Sequence, residues 1–425
     1  MSDEHAVFVA PYGNDGDSGS RAQPVASVAA AVELAERDDK KVIVVCAATF
    51  EAPLELVDVQ HDARIYGGFD CGDDWAPLDA RTVFAPKDGV ALHLESIAGS
   101  LLLESFEFHA SDADDLGESS IAAFVKDAED LTLSSTHFVA GNGMDGESGQ
   151  PHTEWPANAQ HGYSAQGGQG GAERTDCTCS ESKGGRGGDA TNVTEPRGPT
   201  PGEPIVEDRP GGEPGKAGAD CSDGGVGQKG ADGASGSAGS SAREHGAIVG
   251  TTWLPAPGEP GKPGLVGQGG GGGRGDDTGG GGGGCGGCGG KGGEAGQGGD
   301  ASIGLLVVNS AITFRDPRIV LGNGGNGGDG ARGQKGQGGG SAGGNEPDGC
   351  DGGPGGAGGD GGDGGGGAGG IVIGVVHVGS SITGLDNADT TAGEPGDGGQ
   401  HGDSSEDRGR QGVARLQLEL DELEP

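Results

Sequence analysis

The sequence is poor in aromatic and basic side chains. Phe, Trp and Tyr make up 4% of the 425 residues, and 26 Lys and Arg stand against 66 Asp and Glu, which gives a formal net charge of −40. A surface this acidic repels phosphate backbones and anionic lipids, so we expect no nucleic acid or membrane partner. So few aromatic rings also leave few platforms for stacking sugars, which argues against an enzyme that cleaves polysaccharides.

Long apolar runs are missing as well. No stretch reaches the ~20 residues of a membrane-spanning helix, and residues 1–5 (MSDEH) lack the basic region and apolar core of a signal peptide. The eight cysteines nevertheless predict disulfides, which form in oxidising compartments. We therefore expect an extracellular or cell-surface protein, which either lost a leader before its first residue here or left the cell by another route.

Proline is too scarce for collagen, whereas glycine supplies 101 residues. Glycine recurs at every third position in residues 281–299, 324–339 and 352–370. Three residues per turn is the repeat of the polyproline II helix, which has no internal hydrogen bonds. Helices without side chains can pack almost backbone to backbone and pair their outward N–H and C=O groups. We therefore predict a bundle of polyglycine II helices, with residues 281–299 forming one straight helix of ~55 Å. Disorder is the alternative, since glycine loses the most backbone freedom on folding.

The first third of the chain predicts β-structure. Short apolar runs separated by polar turns are typical of a sandwich or a solenoid. Ser27 can cap one helix whose apolar face carries Val28, Ala31, Val32, Leu34 and Ala35.

Residues 7–15 (VFVAPYGND), residues 24–27 (PVAS) and the alanine-rich helix after them resemble the opening of bacterial right-handed parallel β-helix proteins of the pectin-lyase-like kind. Residues 65–70 (IYGGFD), followed by Trp75 and residues 81–84 (RTVF), are similar to a motif common in their cell-surface members. The resemblance implies an all-β fold, a right-handed parallel β-helix that carries a disulfide-stapled polyglycine II bundle.

An internal repeat extends this prediction into the glycine-rich half. Residues 120–143, 302–324 and 370–393 each contain two apolar runs followed by the start of glycine triplets. We interpret the chain as a β-helix with an N-terminal capping helix (1–140), a glycine-rich excursion (141–301), a coil (302–321), a second excursion (322–370), a coil (371–392), a glycine-rich turn (393–412) and a closing strand with a tail (413–425).

The candidate site residues are the cysteines. Cys46 and Cys71 lie about one coil apart, so we expect them to be bonded. Three residues along a polyglycine helix span about 9 Å, which is too far for a bond between Cys285 and Cys288. We expect these two to join different neighbouring glycine helices, with Cys177, Cys179 and Cys221 pairing with Cys285, Cys288 and Cys350. A redox or zinc site at Cys285 and Cys288 is the alternative.

No catalytic or cofactor residues stand out. Asp70, Asp73 and Asp74 could serve as the carboxylates of a lyase or glycosidase, although acidic residues are ordinary in such a turn. Asp329, Asp360 and Asp363 resemble calcium-binding glycine repeats but lack the apolar residue that packs such coils. We therefore expect no cofactor and at most weak Ca²⁺ binding.

Four functions remain as hypotheses. The first is a non-enzymatic secreted or cell-surface structural or adhesive protein that binds a cell-surface or polysaccharide receptor or self-associates. The second is a receptor-binding adhesin of the phage tail-tip kind, in which glycine helices carry binding loops at one end. The third and fourth are an ice-binding protein and a polysaccharide lyase or glycosidase.

Overall fold

The computed structural model describes residues 2–205, 208–209, 211–404 and 406–420. The tail predicted after the closing strand, residues 421–425, lies outside these residues. No helix in the described ranges is long and apolar enough to cross a membrane.

The predicted N-terminal helix is present as α1 (Val28–Arg37). The Ser27 hydroxyl accepts a hydrogen bond from the Ala30 N–H and so satisfies one of the unpaired donors of the first turn. The apolar face is buried as expected, through Val28, Ala31, Val32, Leu34 and Ala35. Two short 3₁₀ turns, Cys221–Asp223 and Leu385–Asn387, are the other helical elements of the described chain.

Strands form most of the remaining regular structure. In chain order they are β1 (Ala6–Val9), β2 (Val42–Cys46), β3 (Thr49–Phe50), β4 (Leu54–Val59), β5 (Ala63–Asp70), β6 (Ala76–Pro77), β7 (Thr82–Phe84), β8 (Leu92–Glu104), β9 (Phe106–His109), β10 (Ser120–Ser134), β11 (His137–Ala140), β12 (Gly246–Val249), β13 (Thr252–Pro255), β14 (Ser302–Val308), β15 (Ala311–Arg315), β16 (Arg318–Leu321), β17 (Val372–Val378), β18 (Ser381–Thr383), β19 (Asp389–Thr391) and β20 (Ala414–Leu420).

The strands form two large sheets and one hairpin. The first sheet runs β1-β2-β5-β8-β10-β14-β17-β20, with β4, β6, β15 and β18 beside this path, and the second runs β19-β16-β11-β9-β7-β3. Pairing is parallel in both sheets except between β5 and β6, and the separate β12–β13 hairpin is antiparallel. The prediction of a largely β fold with parallel sheets and few helices is confirmed.

The largest core lies where the two sheets and α1 contribute apolar side chains to one cluster. In the second sheet, Phe84, Phe108 and Phe138 occupy the same register position on β7, β9 and β11. Their rings stack with centroids 5.9 and 5.6 Å apart. Stacked side chains at one register position hold neighbouring strands in alignment, because a slip by one residue would turn them away from the core.

The three copies of the internal repeat lie side by side. Ser120 of β10 pairs with Ser302 of β14, and Ser302 pairs with Val372 of β17. The strands β14 and β17 are buried at every position. The strands β10, β14 and β17, which are separated in sequence by the glycine-rich segments, are therefore direct neighbours in the first sheet.

The glycine-rich segments are mostly neither helix nor strand, yet they are bonded to one another along their length. In one example the glycine N–H groups of residues 227–239 donate at every third position, at 2.7–3.0 Å, to carbonyls of residues 351–363. The donors are Gly227, Gly230, Gly233, Gly236 and Gly239, and the acceptors are Asp351, Pro354, Ala357, Asp360 and Asp363.

Residues 281–299 lie at the centre of these segments. Their N–H groups donate to residues 350–368, and their carbonyls accept from residues 258–270 and 328–343, again at every third position. Residues 144–163 complete the surroundings through bonds such as Cys285 N–H to Gln160 O, 2.9 Å. The backbone of this segment thus bonds to these four segments and, through the Gly283 N–H, to Gly185 O at 2.7 Å, and most of it is buried.

Candidate functional site

An acidic groove of about 520 Å³ lies where the first sheet meets the β12–β13 hairpin. Its floor comes from β4 and β8, and one wall is the loop between β9 and β10. None of the described residues that line it is Lys or Arg, whereas its acidic and imidazole side chains are Glu55, Asp88, His93, Asp112, Asp114 and Glu118.

His93 sits among carboxylates. Its Nδ1 lies 3.6 Å from Glu55 and its Nε2 lies 3.6 Å from Glu95, while its ring meets Phe124 edge-on at 5.4 Å. The Lys126 ammonium, bonded to Glu95 at 2.7 Å, holds the pKa of that carboxyl below its usual value. These contacts place the imidazole beside two carboxylates.

The loop between β9 and β10 carries the strongest negative charge of the groove. Asp114, Asp115 and Glu118 are exposed, and their carboxylate oxygens lie within 4.8 Å of one another. The Asp112 carboxylate accepts a hydrogen bond from the Asn142 N–H at 2.6 Å. Because none of the described residues that line the groove is Lys or Arg, this surface attracts basic groups and cations.

A buried carboxyl lies behind this loop. Asp300 is 0% exposed, and burial raises its pKa to about 6, with the Glu118 charge adding to the rise. Neither oxygen accepts a hydrogen bond of normal geometry from a described residue, although the Gly117 N–H points toward the carboxyl and partly offsets the rise.

A second candidate surface is the end of the glycine-rich segments that lies farthest from the sheets. Segments that leave β11 and β16 reach this end near residues 163 and 344, where the chain turns into loops at residues 172–181, 190–198 and 216–224. Arg174 stacks over the ring of Tyr163 at 4.2 Å. We call this end the distal loops.

Asp189 holds one of the distal loops in place. Its carboxylate accepts the Gly170 and Arg197 N–H groups at 3.0 Å each, and it pairs with the guanidinium groups of Arg186 and Arg197. Burial alone would raise the pKa of this carboxyl, but these donors lower it to about 2.

All eight cysteines are bonded. Cys46 joins Cys71, the pair expected from the sequence, with Cα atoms 5.3 Å apart. Three bonds then tie the first group of distal cysteines to the second, as Cys177–Cys285, Cys179–Cys288 and Cys221–Cys350.

The expectation that Cys285 and Cys288 join different glycine helices is wrong. Both bond to one short loop, since Cys177 and Cys179 are two positions apart. The reason is geometric. Cys285 and Cys288 repeat on one face of their segment, and the two-residue step of extended chain from Cys177 to Cys179 covers nearly the distance between them. The two disulfides therefore anchor a single loop onto residues 285–288.

The structure does not gather the other predicted carboxylates into one site. Asp70 accepts the Gly72 N–H within its own turn, and Asp74 pairs with Arg21 at 2.8 Å. Asp329, Asp360 and Asp363 each accept a backbone N–H, from Gln400, Gly336 and Gly333. Asp70, Asp329, Asp360 and Asp363 thus satisfy backbone donors, whereas Asp74 forms a salt bridge.

Sequence reasoning missed the groove, Asp189 and Asp300. The run of acids at residues 112–118 was a visible signal for the loop. Asp300 gave none, because its burial depends on segments far away in sequence. The partners of Asp189 are nearer, at residues 170, 186 and 197.

Comparison with known protein families, curated proteins and solved structures gave no match.

Proposed function

We propose that this protein is a non-enzymatic extracellular structural or adhesive protein, in which a right-handed parallel β-helix carries a rigid bundle of polyglycine II helices. The observation that carries the proposal is the hydrogen bonding of residues 281–299 to three neighbouring segments at every third position. This spacing is that of a helix with three residues per turn. Hydrogen bonds at this spacing join the segments into a rigid body through backbone groups alone.

Three further observations support the finer fold. The strands of the first sheet follow one another in chain order, all but one pairing in the two large sheets is parallel, and the repeat copies are neighbours. A solenoid produces this order, because each coil adds its strands beside those of the coil before.

The disulfides support an extracellular location. Each of the three distal bonds closes a loop of more than a hundred residues, with separations of 108, 109 and 129. Such bonds persist in oxidising surroundings and are rare where thiols are kept reduced.

The distal loops are the receptor-binding surface in this proposal. They cluster at the free end of a rigid bundle, and loops held by a rigid scaffold are where binding residues concentrate. This placement also favours the second candidate, a receptor-binding adhesin of the phage tail-tip kind. If the gene for this protein lies beside phage tail genes rather than beside export genes, the position would favour this second candidate.

A binding experiment tests the proposal. Fluorescently labelled, disulfide-intact protein is incubated with bacterial cells and with immobilised acidic and neutral polysaccharides. We expect saturable binding that Tyr163→Ser, in the distal loops, weakens at least about tenfold. Tyr12→Ser is the matched control, since Tyr12 is also an exposed tyrosine (65% against 41% for Tyr163) but lies in the N-terminal turn.

The outcomes separate the surfaces. If Asp114→Asn with Glu118→Gln abolishes binding and Tyr163→Ser does not, the acidic groove is the binding surface and the assignment to the distal loops is wrong. If the protein self-associates in sedimentation experiments and binds neither the cells nor the polysaccharides, the result supports a structural role. Turnover of a polysaccharide by the wild-type protein would contradict the non-enzymatic proposal.

A further inference from the structure

Three side chains that could ligate a metal converge where the glycine-rich turn after β19 packs on the bundle. Asp363, His401 and Asp403 each offer one ligand atom, and these atoms lie within 4.8 Å of one another. His401 is 7% exposed and Asp363 is partly buried, whereas the Asp403 side chain is 47% exposed. The group therefore has a buried side and an open side.

The orientation of the His401 ring is fixed from outside the group. Its Nε2 lies 3.0 Å from the carbonyl oxygen of Gly239. A carbonyl only accepts, so Nε2 carries the hydrogen and the Nδ1 lone pair is directed the other way. A backbone carbonyl that holds the far nitrogen in this manner is typical of metal-ligating histidines.

Nδ1 faces a carboxylate at short range. It lies 2.9 Å from Asp403 Oδ1, and the Asp403 N–H also points to it at 3.4 Å. An imidazole lone pair and a carboxylate oxygen repel at this distance unless a proton or a metal ion lies between them. With the Asp363 carboxylate also within reach, a dication neutralises both acids, which a single proton does not.

The backbone holds the three residues in place before any ion binds. The Gly239 N–H donates to Asp363 O at 2.8 Å, so one residue anchors both Asp363 and His401. The Gly402 N–H donates to Gly364 O at 2.9 Å, which fixes the turn against the segment that carries Asp363. The Gly333 N–H occupies Asp363 Oδ1 at 2.8 Å, and the second carboxylate oxygen can serve the ion.

We propose that Asp363, His401 through Nδ1, and Asp403 bind one divalent transition metal ion of the zinc type. Imidazole nitrogen with carboxylate oxygens suits Zn²⁺, whereas Ca²⁺ takes oxygen ligands. Bonds of about 2.0–2.2 Å require the ligand atoms to close to roughly 3.3 Å from one another. Because Asp403 is half-exposed, the fourth position opens to water. The site is independent of the proposed adhesive function and adds a metal to a turn outside the distal loops.

Cobalt binding tests the proposal on the full, disulfide-intact chain. Co²⁺ is titrated in the presence of excess Ca²⁺ and Mg²⁺, which saturate non-specific carboxylates, and visible absorption reports ligand geometry. We expect one equivalent with the intense bands of a four-coordinate nitrogen and oxygen site, displaced by one equivalent of Zn²⁺.

The variants are His401→Gln and Asp403→Asn, with His152→Gln as matched control. His152 also bonds a glycine carbonyl, Gly292 O at 2.9 Å, but belongs to no described cluster of metal-ligating groups. Removing a residue that only hydrogen-bonds to a metal ligand weakens metal binding about 10–100-fold. Each variant that removes a ligand should therefore weaken Co²⁺ and Zn²⁺ binding at least about tenfold, and His152→Gln should not.

Asp403→Asn keeps the test valid if His401→Gln fails to fold, because Asp403 is exposed and its replacement leaves the buried contacts of His401 in place. Equal affinity in wild type and Asp403→Asn, or no binding above that of Ca²⁺, would overturn the proposal.

Discussion

Asp189 and Asp300 are both buried, but their surroundings shift the pKa of the carboxyl in opposite directions. Asp189 is surrounded by N–H donors and two guanidinium groups, so its pKa falls to about 2 despite burial. Asp300 is buried without such partners, and its pKa rises to about 6. The first stabilises the fold in its charged form, and the second does so in its protonated form.

Asp300→Asn should stabilise the protein at neutral pH. A carboxyl whose pKa is higher in the folded state stabilises it below the unfolded pKa of about 4, and this contribution is lost as the pH rises through about 6. We expect the variant to match wild type near pH 4 and to exceed it by about 2–3 kcal/mol at pH 7.5. Urea unfolding followed by tryptophan fluorescence measures this, and a variant less stable than wild type at pH 7.5 would contradict it.

Asp189→Asn should have the opposite pH dependence. The lowered pKa means that the stabilising charge is fully present above about pH 4 and is lost as the pH falls toward 2. We expect the variant to be about 2 kcal/mol less stable at pH 6, and the difference to shrink toward zero near pH 2. Denaturant unfolding at both pH values tests this, and a constant difference would point to packing rather than charge.

Among the secondary-structure elements, those with local signals were predictable. Ser27 and the apolar spacing after it predicted α1, and the apolar runs of the first third and of the internal repeat predicted that strands form there. The strand β4 was missed, although Leu54–Val59 begins with an alternating pattern that favours a strand.

Elements whose signals are not local could not be predicted. The β12–β13 hairpin lies within glycine-rich sequence, and Trp253 becomes buried only against the distant strands β10, β14 and β17. The acidic groove could not be predicted for the same reason, because Thr252 and Ser120, which both line it, are more than a hundred residues apart in the sequence. The period of glycine indicated that segments could pack closely, but not which segments become neighbours.

A glycine segment should not tolerate even one methyl group on a face that meets other backbone. A Cβ at Gly290 would overlap the carbonyl oxygen of Gln334, and backbone cannot move aside as a side chain can. We expect Gly290→Ala to destabilise the bundle by about 3 kcal/mol or more.

Gly198→Ala is the control, since nothing lies within 4 Å of a Cβ there. Native-state amide exchange of residues 281–299 measures the effect. Equal protection in the two variants would mean that the segments are more loosely packed than the structure indicates.

At the scale of the whole molecule, the two halves differ in what stabilises them. The sheets bury Val, Ile, Leu and Phe, worth about 25 cal/mol per Å². The bundle buries mainly backbone, whose hydrogen bonds contribute only about 0.5–1.5 kcal/mol each and oppose a large loss of entropy. Its three disulfides add roughly 2–4 kcal/mol each.

Reduction should therefore unfold the glycine-rich half and leave the sheets folded. Amide exchange before and after treatment with a reductant measures this, with the buried strands β14 and β17 as the internal control. If residues 324–370 kept their protection after full reduction, the hydrogen bonds alone would suffice and the disulfides would be dispensable.

The way the bundle is threaded has a consequence for how the protein is made. Residues 142 and 145 bond to residues 323 and 326, which are 181 positions later in the chain. Such contacts give the fold a high contact order, and their loops must close before any bond forms. A nascent chain that ends before residue 323 has no partner for this edge of the bundle. We therefore expect slow folding of the bundle, which begins only after most of the chain is synthesised.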